Sequence, residues 1–141
     1  MNEREFQGWI LDVAARFGWR VWHVPAPMRP VGGSRFVPEK RAAGLPDLIL
    51  LHADPPRLIF AEVKDADGRV SDEQAEFLRL ARGVHDGLDR HFDAVLEAFA
   101  RYIPEAREAL EWINPIGVYV WRPGAESMIE AILRGKVMVA G

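Results

Sequence analysis

The chain has 141 residues, a size that fits one ordinary domain, and 49% of them are hydrophobic, which is enough for a core without disulfide bonds or a structural metal. It contains no cysteine, which excludes disulfides, thiolate zinc sites and thiol nucleophiles and favours an intracellular setting. The net charge of −3 argues against an unspecialised binder of polyanions, because such binding depends on neutralising phosphates with lysine and arginine. We therefore expect a single domain over residues 1–141.

Charge is unevenly distributed along the chain. Between residues 16 and 41 six cations stand against Glu39 alone, a local charge of +5. Between residues 83 and 113 seven acidic residues stand against three arginines, a local charge of −4. If a phosphate backbone is a partner, it should approach the first segment and avoid the second.

The first predicted element is an amphipathic helix over residues 3–17. Its apolar side chains recur at the spacing of one helical face, and Gly18 stands where a left-handed C-cap is expected. The N-terminal segment is charged and then amphipathic, and no apolar run approaches the roughly 20 residues of a membrane helix. We therefore expect a cytoplasmic protein.

Strands are predicted next along the chain. The segment WRVWHVP alternates well enough for a strand that ends at Pro25. Residues 26–43 combine proline, glycine and basic residues without a period, which predicts a long loop. Two strands over residues 45–51 and 58–64 flank the turn HADPPR, and a helix with Ser71 as its N-cap follows over residues 72–82.

The next segment is helical and acidic. Gly83 and Gly87 are expected to interrupt the helix, and a periodic apolar stripe over residues 88–103 predicts another one. Pro104 suits the first turn of a shorter helix, so residues 83–115 are expected to form an acidic helical hairpin. A strand in IGVYVWRP, a helix in AESMIEAILRG and a short edge strand in KVMVA complete the prediction. This order indicates an α/β fold with a mixed sheet covered by helices.

Charged residues stand where the two strands around HADPPR should be apolar. If these strands pair so that paired residue numbers sum to about 109, Asp47 lies opposite Glu62, with Cβ atoms about 4.5 to 5.5 Å apart. Two bare carboxylates at that distance repel each other and raise one pKa, a conflict that a divalent cation removes. Hard carboxylate oxygens at this spacing suit Mg²⁺ or Mn²⁺.

Lys64 belongs to the same predicted site, because side chains at i and i+2 of a strand share a face. Beside Glu62 its ammonium group can orient the attacking water and neutralise charge on a pentacovalent phosphate. Each residue also has a plain structural explanation, since Asp47 could start a strand and Lys64 could end one. The joint pattern favours a site, because an unpaired carboxylate between Ala61 and Val63 would be costly to bury.

These motifs resemble those of a known family. With GLPD from Gly44, AEVK to Lys64 and GRVSDEQ to Gln74, the sequence resembles the PD-(D/E)xK nucleases and, more narrowly, the VRR-NUC (virus-type replication-repair nuclease) family, which is related to Holliday junction resolvases. EREFQGWILDVAARFGWRVWHVP and GVYVWRP are also similar to that family's first helix and strand and to its later strand. The resemblance implies a restriction-endonuclease-like fold and a metal-dependent DNA endonuclease that acts in DNA repair on branched, flapped or junction DNA.

The resemblance also implies roles for individual residues. The implied catalytic residues are Asp47, Glu62, Lys64 and Gln74. Asp47 and Glu62 would bind Mg²⁺ or Mn²⁺ together with Glu3, for which Glu5 is a rival, and Gln7 would be an accessory group on the same helix face as Glu3. Gln74 also completes a Ser-x-x-Gln capping box, a role that is compatible with the first.

The expected partner is DNA. The cations of the predicted loop would hold backbone phosphates without reading sequence, unless the loop is only a solvated connection; they are Arg29, Arg35, Lys40 and Arg41. The five tryptophans are expected mostly in the core, with Trp121 as the candidate for base stacking. The helical insertion would pack on its own domain or form a homodimer, which would match the two-fold symmetry of a four-way junction.

Two alternatives stay open at this point. The chain can be a non-catalytic DNA-binding or assembly module that retains the nuclease fold, although the intact Asp47, Glu62 and Lys64 argue against it. It can also be an enzyme that acts on another phosphoester, such as RNA or a nucleotide, because nothing in the sequence separates DNA from RNA.

Overall fold

The computed structural model describes residues 1–24, 28–38, 44–109 and 112–135. The helices in this part of the chain are α1 (Glu3–Arg16), α2 (Asp72–Ala100), α3 (Ala106–Ala109) and α4 (Glu126–Arg134). The strands are β1 (Arg20–His23), β2 (Met28–Gly32), β3 (Arg35–Pro38), β4 (Leu48–His52), β5 (Arg57–Val63) and β6 (Ile116–Trp121).

Helix α1 begins at a capping box. The side chain of Asn2 accepts a 2.8 Å hydrogen bond from the backbone N–H of Glu5, and the Glu5 carboxylate accepts one of 3.2 Å from the backbone of Asn2. The periodic side chains Phe6, Ile10 and Val13 are buried, as predicted. Glu5 is thus engaged at the helix start.

The main sheet has four strands in the order β1-β4-β5-β6. β1 and β5 are both antiparallel to β4, whereas β6 is parallel to β5, so the sheet is mixed. Leu48 pairs with Ala61 and Ile49 pairs with Phe60, which is the predicted register. The predicted mixed sheet flanked by helices is confirmed, and the finer assignment to a restriction-endonuclease-like fold stays a prediction.

One face of the sheet carries the main core. Side chains alternate along each strand, so Leu48 and Leu50 of β4 share this face with Ile59, Ala61 and Val63 of β5. Helices α1 and α4 cover it with the buried side chains Phe6, Ile10, Val13, Ala14, Ile129, Ile132 and Leu133. Full burial of each large aliphatic side chain stabilises the fold by roughly 1.5 to 3 kcal/mol.

The opposite face of the sheet is packed under α2 on its β5–β6 side. Leu78 and Ala81 of α2 are buried against Val118 of β6, next to the half-buried Phe60 of β5. The polar pair Glu62 and Lys64 belongs to this face, because it alternates with the core residues of β5. Glu62 therefore lies at the end of a layer that is otherwise apolar.

The same face is largely bare over β1 and β4. We call the surface formed by Arg20, Trp22, Ile49 and Leu51 the open face; the register pairs Arg20 with Leu51 and Trp22 with Ile49. Trp22 is 46% exposed and Leu51 is 40% exposed. The expectation that the tryptophans lie in the core is therefore wrong for Trp22, because the strand parity turns it away from α1 and α4.

The prediction of a long loop over residues 26–43 is wrong for residues 28–38, which form two strands. β2 and β3 pair antiparallel in a separate two-stranded sheet, with Arg29 opposite Val37. Gly32 and Gly33 supply positive φ angles of 127° and 56° at the turn. The strand signal was hidden because Pro30 and both glycines interrupt the alternation.

The break predicted at Gly83 and Gly87 is also wrong. Helix α2 continues through both glycines for 29 residues, a length of about 43 Å. A glycine in a helix interior costs about 1 kcal/mol relative to alanine. The burial of Leu78, Ala81 and His85 around these positions offsets that cost.

The second half of α2 extends beyond the sheet. The ring Nδ1 of His85 lies 2.6 Å from the carbonyl oxygen of Ile116, the first residue of β6, so the helix has reached the end of β6 at this point. We call residues 86–109 and 112–114 the arm. Its returning segment packs on α2 through a stack of Trp112 on Phe92, with ring centroids 4.8 Å apart.

The arm differs from the predicted helical hairpin. Instead of two comparable helices, it consists of the end of α2, the four-residue helix α3 and a return without regular structure in its described residues. An ion pair of 2.6 Å joins Arg107 to Glu97, and the side-chain amide of Asn114 donates to Asp89 at 2.9 Å. The apolar stripe therefore belongs to one long helix.

No helix in the described part of the chain is both long and apolar enough to cross a membrane. The closing helix predicted in AESMIEAILRG is observed as α4. The edge strand predicted in KVMVA lies outside the described residues.

Candidate active site

The β4–β5 hairpin brings Asp47 and Glu62 together. Asp47 stands one residue before β4, and the register that pairs Leu48 with Ala61 places it beside Glu62. Its Oδ2 accepts a 2.8 Å hydrogen bond from the backbone N–H of Val63. This bond holds the Asp47 carboxylate against the neighbouring strand.

Glu62 is a carboxylate with no exposed surface. Its Oε1 accepts a 2.6 Å hydrogen bond from Nε2 of Gln74 and lies 3.2 Å from Nζ of Lys64. Its Oε2 is buried without a hydrogen-bond partner among the described residues. Leaving a buried acceptor unsatisfied costs about 1 to 3 kcal/mol, so this oxygen marks a place where a ligand would be stabilising.

The surroundings of Glu62 change its acidity. Burial, followed by the charge of Asp47, raises the pKa of Glu62 from 4.5 to about 7. Lys64 acts in the opposite direction, but its effect is smaller. Near neutral pH, Glu62 therefore holds a proton more readily than an ordinary glutamate does.

Lys64 extends β5 by one residue. Its backbone N–H donates to the carbonyl of Trp121 at 3.0 Å, which continues the pairing with β6. Because Glu62 and Lys64 are two residues apart, their side chains project to the same face, as the sequence predicts. The side chain of Lys64 is 17% exposed, so its ammonium group lies between the buried carboxylate and solvent.

Gln74 completes the predicted capping box and also contacts Glu62, and its role in catalysis stays a prediction. Its backbone N–H donates to Oγ of Ser71 at 3.2 Å, and its Oε1 accepts from the backbone N–H of Ser71 at 2.9 Å. This use of Oε1 directs Nε2 to Glu62. A residue of the first turn of α2 is therefore also a hydrogen-bond donor to the Glu62 carboxylate.

Comparison with known proteins supplies no family. No family model matches the chain, and neither a curated protein nor a solved structure matches it. The resemblance to the VRR-NUC nucleases stays a prediction that depends on the residues themselves.

The arrangement of Asp47 and Glu62 fits a divalent cation. Both supply hard oxygen atoms, and Glu62 has a buried oxygen that no group of the described chain satisfies. A cation would also remove the repulsion that contributes to the raised pKa of Glu62. Mg²⁺ and Mn²⁺ suit such a site, because they accept two carboxylates and leave other positions for water and phosphate.

Glu3 is not grouped with these two carboxylates, and the accessory role of Gln7 stays a prediction. Glu3 is exposed and Gln7 is half-buried on α1, which packs on the opposite face of the sheet from Glu62. Across the described residues, no three His, Cys, Asp or Glu side chains lie close enough to hold a metal ion. The structure therefore groups two carboxylates, and it does not support Glu3 as a third ligand.

Gly44 contributes through its lack of a side chain. A Cβ atom at this position would lie 2.5 Å from the carbonyl oxygen of Glu73 in the first turn of α2. Gly44 belongs to the GLPD motif, so the sequence indicated its importance but not its contact. The close approach sets the segment before Asp47 directly against the helix that carries Gln74.

Arg122 is a residue that the sequence analysis did not single out. Its Nη1 donates to the carbonyl oxygens of Asp65 at 2.8 Å and of Gly68 at 2.6 Å. It thereby fixes the segment that connects Lys64 to α2. The sequence signal that could have indicated Arg122 is its position as a cation directly after β6, the strand that pairs with β5.

The predicted DNA contacts are only partly described. Arg29 lies in β2, and the exposed Arg35 begins β3 in the small hairpin. Lys40 and Arg41 lie outside the described residues. The role of these four cations stays a prediction.

The prediction that Trp121 stacks on a base is wrong. Trp121 has no exposed surface, and it stacks on Tyr119 within the main core with ring centroids 5.4 Å apart. The exposed aromatic ring near the carboxylates is that of Trp22, which the sequence analysis assigned to the core.

Proposed function

We propose that this chain is a metal-dependent endonuclease that hydrolyses phosphodiester bonds in DNA, with Asp47, Glu62 and Lys64 in its active site. One observation supports this more than any other: Glu62 is fully buried, with an oxygen that no described residue satisfies, next to a second carboxylate and an ammonium group. A purely structural Glu62 would be costly, because a buried carboxylate needs full pairing. Binding of a cation would offset the free-energy cost of burying Glu62.

Asp47 and Glu62 would hold the metal ion. When bound, Mg²⁺ or Mn²⁺ supplies Lewis-acid activation of the phosphodiester. Glu62 must be deprotonated to take this role, and Lys64 assists because it favours the charged carboxylate. Asp47 has Oδ2 committed to the Val63 N–H, and in this proposal Oδ1 would bind the cation.

Lys64 would act on the reacting phosphate. As water attacks, a new P–O bond forms, the bond to the ester oxygen breaks, and negative charge accumulates on the phosphoryl oxygens. The ammonium group of Lys64 lies close enough to Glu62 to neutralise that charge and to orient the water. The proton lost by the attacking water goes to bulk water, and the leaving oxygen takes up a proton from bulk water.

Gln74 would position Glu62 without touching the substrate. Its Nε2 occupies Oε1 of Glu62, so that Oε2 stays available. Preference for branched, flapped or junction DNA, and a role in DNA repair, are expectations from the family resemblance and extend this proposal.

The proposal is tested by cleavage of plasmid, flap and four-way junction DNA with Mg²⁺, Mn²⁺ or EDTA. We expect metal-dependent cuts by the wild type, and a loss of at least about 100-fold for Lys64→Ala and Asp47→Ala, since each removes charge stabilisation of the kind worth several kcal/mol. Asp12→Ala is the matched control, because Asp12 is an exposed carboxylate on α1, on the other side of the sheet.

Metal-dependent cuts that persist in both active-site variants would disprove the catalytic assignment. If the wild type cleaves no substrate but binds DNA tightly in EDTA, the non-catalytic binding module is the better interpretation. Cleavage of RNA in place of DNA would keep the chemistry and change the substrate.

A further inference from the structure

A cavity of about 500 Å³ lies at the opposite end of the sheet from the Glu62 site. It is formed where the open face meets the β4–β5 turn. Its apolar floor includes Leu51 and Leu58, its aromatic wall is Trp22, and its polar lining includes Arg20, His52 and Arg57. Among the described residues, none that lines this cavity is acidic.

Arg57 borders the cavity, but its side chain belongs to the other face of the sheet. It alternates with Ile59 and Ala61 of the main core, and it is 6% exposed. Its guanidinium group donates to the carbonyl of Ile132 in α4 at 3.2 Å and stacks on Trp19 at 4.5 Å. Among the described residues that line the cavity, Arg20 is therefore the cation on the open face.

Trp22 adds a flat aromatic surface. Its ring is 46% exposed, and the guanidinium carbon of Arg20 lies 5.3 Å from its centroid. An exposed aromatic ring beside guanidinium groups is the combination that binds nucleotides, because the base stacks and the phosphate pairs with the cation.

The cavity and Asp47 lie on the same face of the sheet. Trp22 pairs with Ile49, which stands two residues from Asp47 on the same face, a diagonal separation of about 7 to 8 Å. Leu58, which lines the cavity, stands four residues before Glu62 in β5, about 13 Å along the strand. A strand stacked at about 3.4 Å per nucleotide would cover this distance with about four nucleotides.

We infer that the open face binds an unpaired nucleic-acid strand, with one base stacked on Trp22 and a phosphate held by Arg20. A base inside a duplex has its faces covered by its neighbours, so stacking on Trp22 requires an unpaired base. This inference rests on the proposed function for its link to cleavage, and it names a single-stranded or flapped segment as the substrate class.

Binding is measured in EDTA by fluorescence anisotropy with a labelled oligothymidylate, the matching oligouridylate and a duplex, each of about 12 nucleotides. We expect the wild type to bind an unpaired strand more tightly than the duplex. Trp22→Ala should weaken this binding by about 10- to 100-fold, as loss of one base stack does, and Trp22→Phe should keep most of it. Circular dichroism checks that the variants are folded.

Arg20→Ala separates a phosphate contact from general attraction. We expect the slope of log affinity against log salt to decrease by about 0.7, the value for one phosphate contact on a single strand. Arg4→Ala removes the same charge from an exposed position of α1, which covers the other face, and should leave both slope and affinity unchanged.

Equal binding by the wild type and Trp22→Ala would overturn the inference, and so would a preference for the duplex. Failure of this inference can be distinguished from failure of the nuclease proposal. If strand binding depends on Trp22 but no cleavage occurs, only the nuclease proposal fails; if cleavage occurs and binding ignores Trp22, only this inference fails. Preference for thymidylate or uridylate identifies the strand as DNA or RNA and supports the inference.

Discussion

Burial, Asp47 and Lys64 all act on the pKa of Glu62, and they do not act in the same direction. Burial and Asp47 favour the protonated form, whereas Lys64 favours the charged form. The result is a carboxyl group that changes its charge near neutral pH and has one oxygen without a partner in the described chain. At this scale, a single proton and a bound cation compete for the same place.

Glu62 should make the metal-free protein less stable as pH rises. Its folded pKa of about 7 lies above the ordinary value of 4.5, so between these pH values the folded state binds more protons than the unfolded state. The free energy of unfolding therefore decreases across this range and levels off above it. Glu62→Gln lacks this titration. Urea unfolding in EDTA should show the variant gaining on the order of 1 to 3 kcal/mol over wild type between pH 4.5 and 8. If the free energies of unfolding of the wild type and Glu62→Gln changed with pH in the same way, this prediction would be wrong.

The two roles of Gln74 can be separated with Ser71. Ser71→Ala removes the cap of α2 and should cost about 1 kcal/mol of unfolding free energy, while the bond from Gln74 to Glu62 is retained. Gln74→Ala should cost a similar amount and also reduce cleavage by about tenfold or more, because Glu62 loses its donor. The measurements are the free energy of unfolding in urea and the rate of DNA cleavage for both variants. An equal loss of cleavage in both variants would show that the cap alone matters.

At the scale of elements, the site is assembled where three segments meet the start of α2. The β4–β5 hairpin supplies the carboxylates, the segment at Gly44 packs on the first helical turn, and Arg122 fastens the connection after Lys64. A register slip of one residue in the hairpin would turn Asp47 to the opposite face from Glu62. Backbone packing therefore determines the geometry of the site as much as its charged side chains do.

Gly44→Ala should destabilise the protein by about 1 to 3 kcal/mol. The added Cβ would meet the Glu73 carbonyl oxygen at 2.5 Å, and no side-chain rotation can relieve a contact with backbone. Gly8→Ala is the matched control, because its Cβ would have no atom within 4 Å and lies in α1, where alanine favours the helix. Urea unfolding of both variants should give changes of opposite sign. If Gly44→Ala left the free energy of unfolding unchanged, α2 would be able to move away from the added methyl group without loss of stability, and the prediction would be wrong.

The hairpin register was predictable from the sequence because a short turn and two apolar runs leave few ways to pair β4 with β5. The capping box at Ser71 was predictable because its geometry is local. Trp22 and Trp121 were assigned to the wrong surroundings, since the side of a strand that a helix covers depends on contacts far apart in sequence. The breaks expected at Gly83 and Gly87 failed for a similar reason, because tertiary packing outweighs helix propensity.

At the scale of the whole molecule, the arm is the part that the sheet does not support. It carries apolar side chains that its own packing leaves uncovered; the most exposed are Tyr102 at 86% and Ile113 at 60%, followed by Phe99 and Ile103. A second copy of the chain would cover such a surface, which agrees with the homodimer considered from the sequence. Acidic groups surround it, so a nucleic-acid strand is not the expected occupant.

The arm should therefore mediate self-association. We expect a dimeric mass for the wild type at tens of micromolar, and a monomeric mass for Phe99→Asp combined with Ile103→Asp, since a buried unpaired carboxylate is costly. Light scattering coupled to size exclusion measures this. Leu51→Asp is a control for added charge on an exposed apolar position of the open face. A monomeric wild type would contradict the prediction.

The shared use of Gln74 has a consequence for motion. Helix ends fray more readily than helix interiors, and the amide protons of the first turn of α2 exchange with solvent when that turn opens. Because the same side chain closes the turn and holds Glu62, each opening releases the carboxylate as well. Hydrogen exchange at Gln74 therefore reports how often the candidate site is disassembled, long before the molecule unfolds.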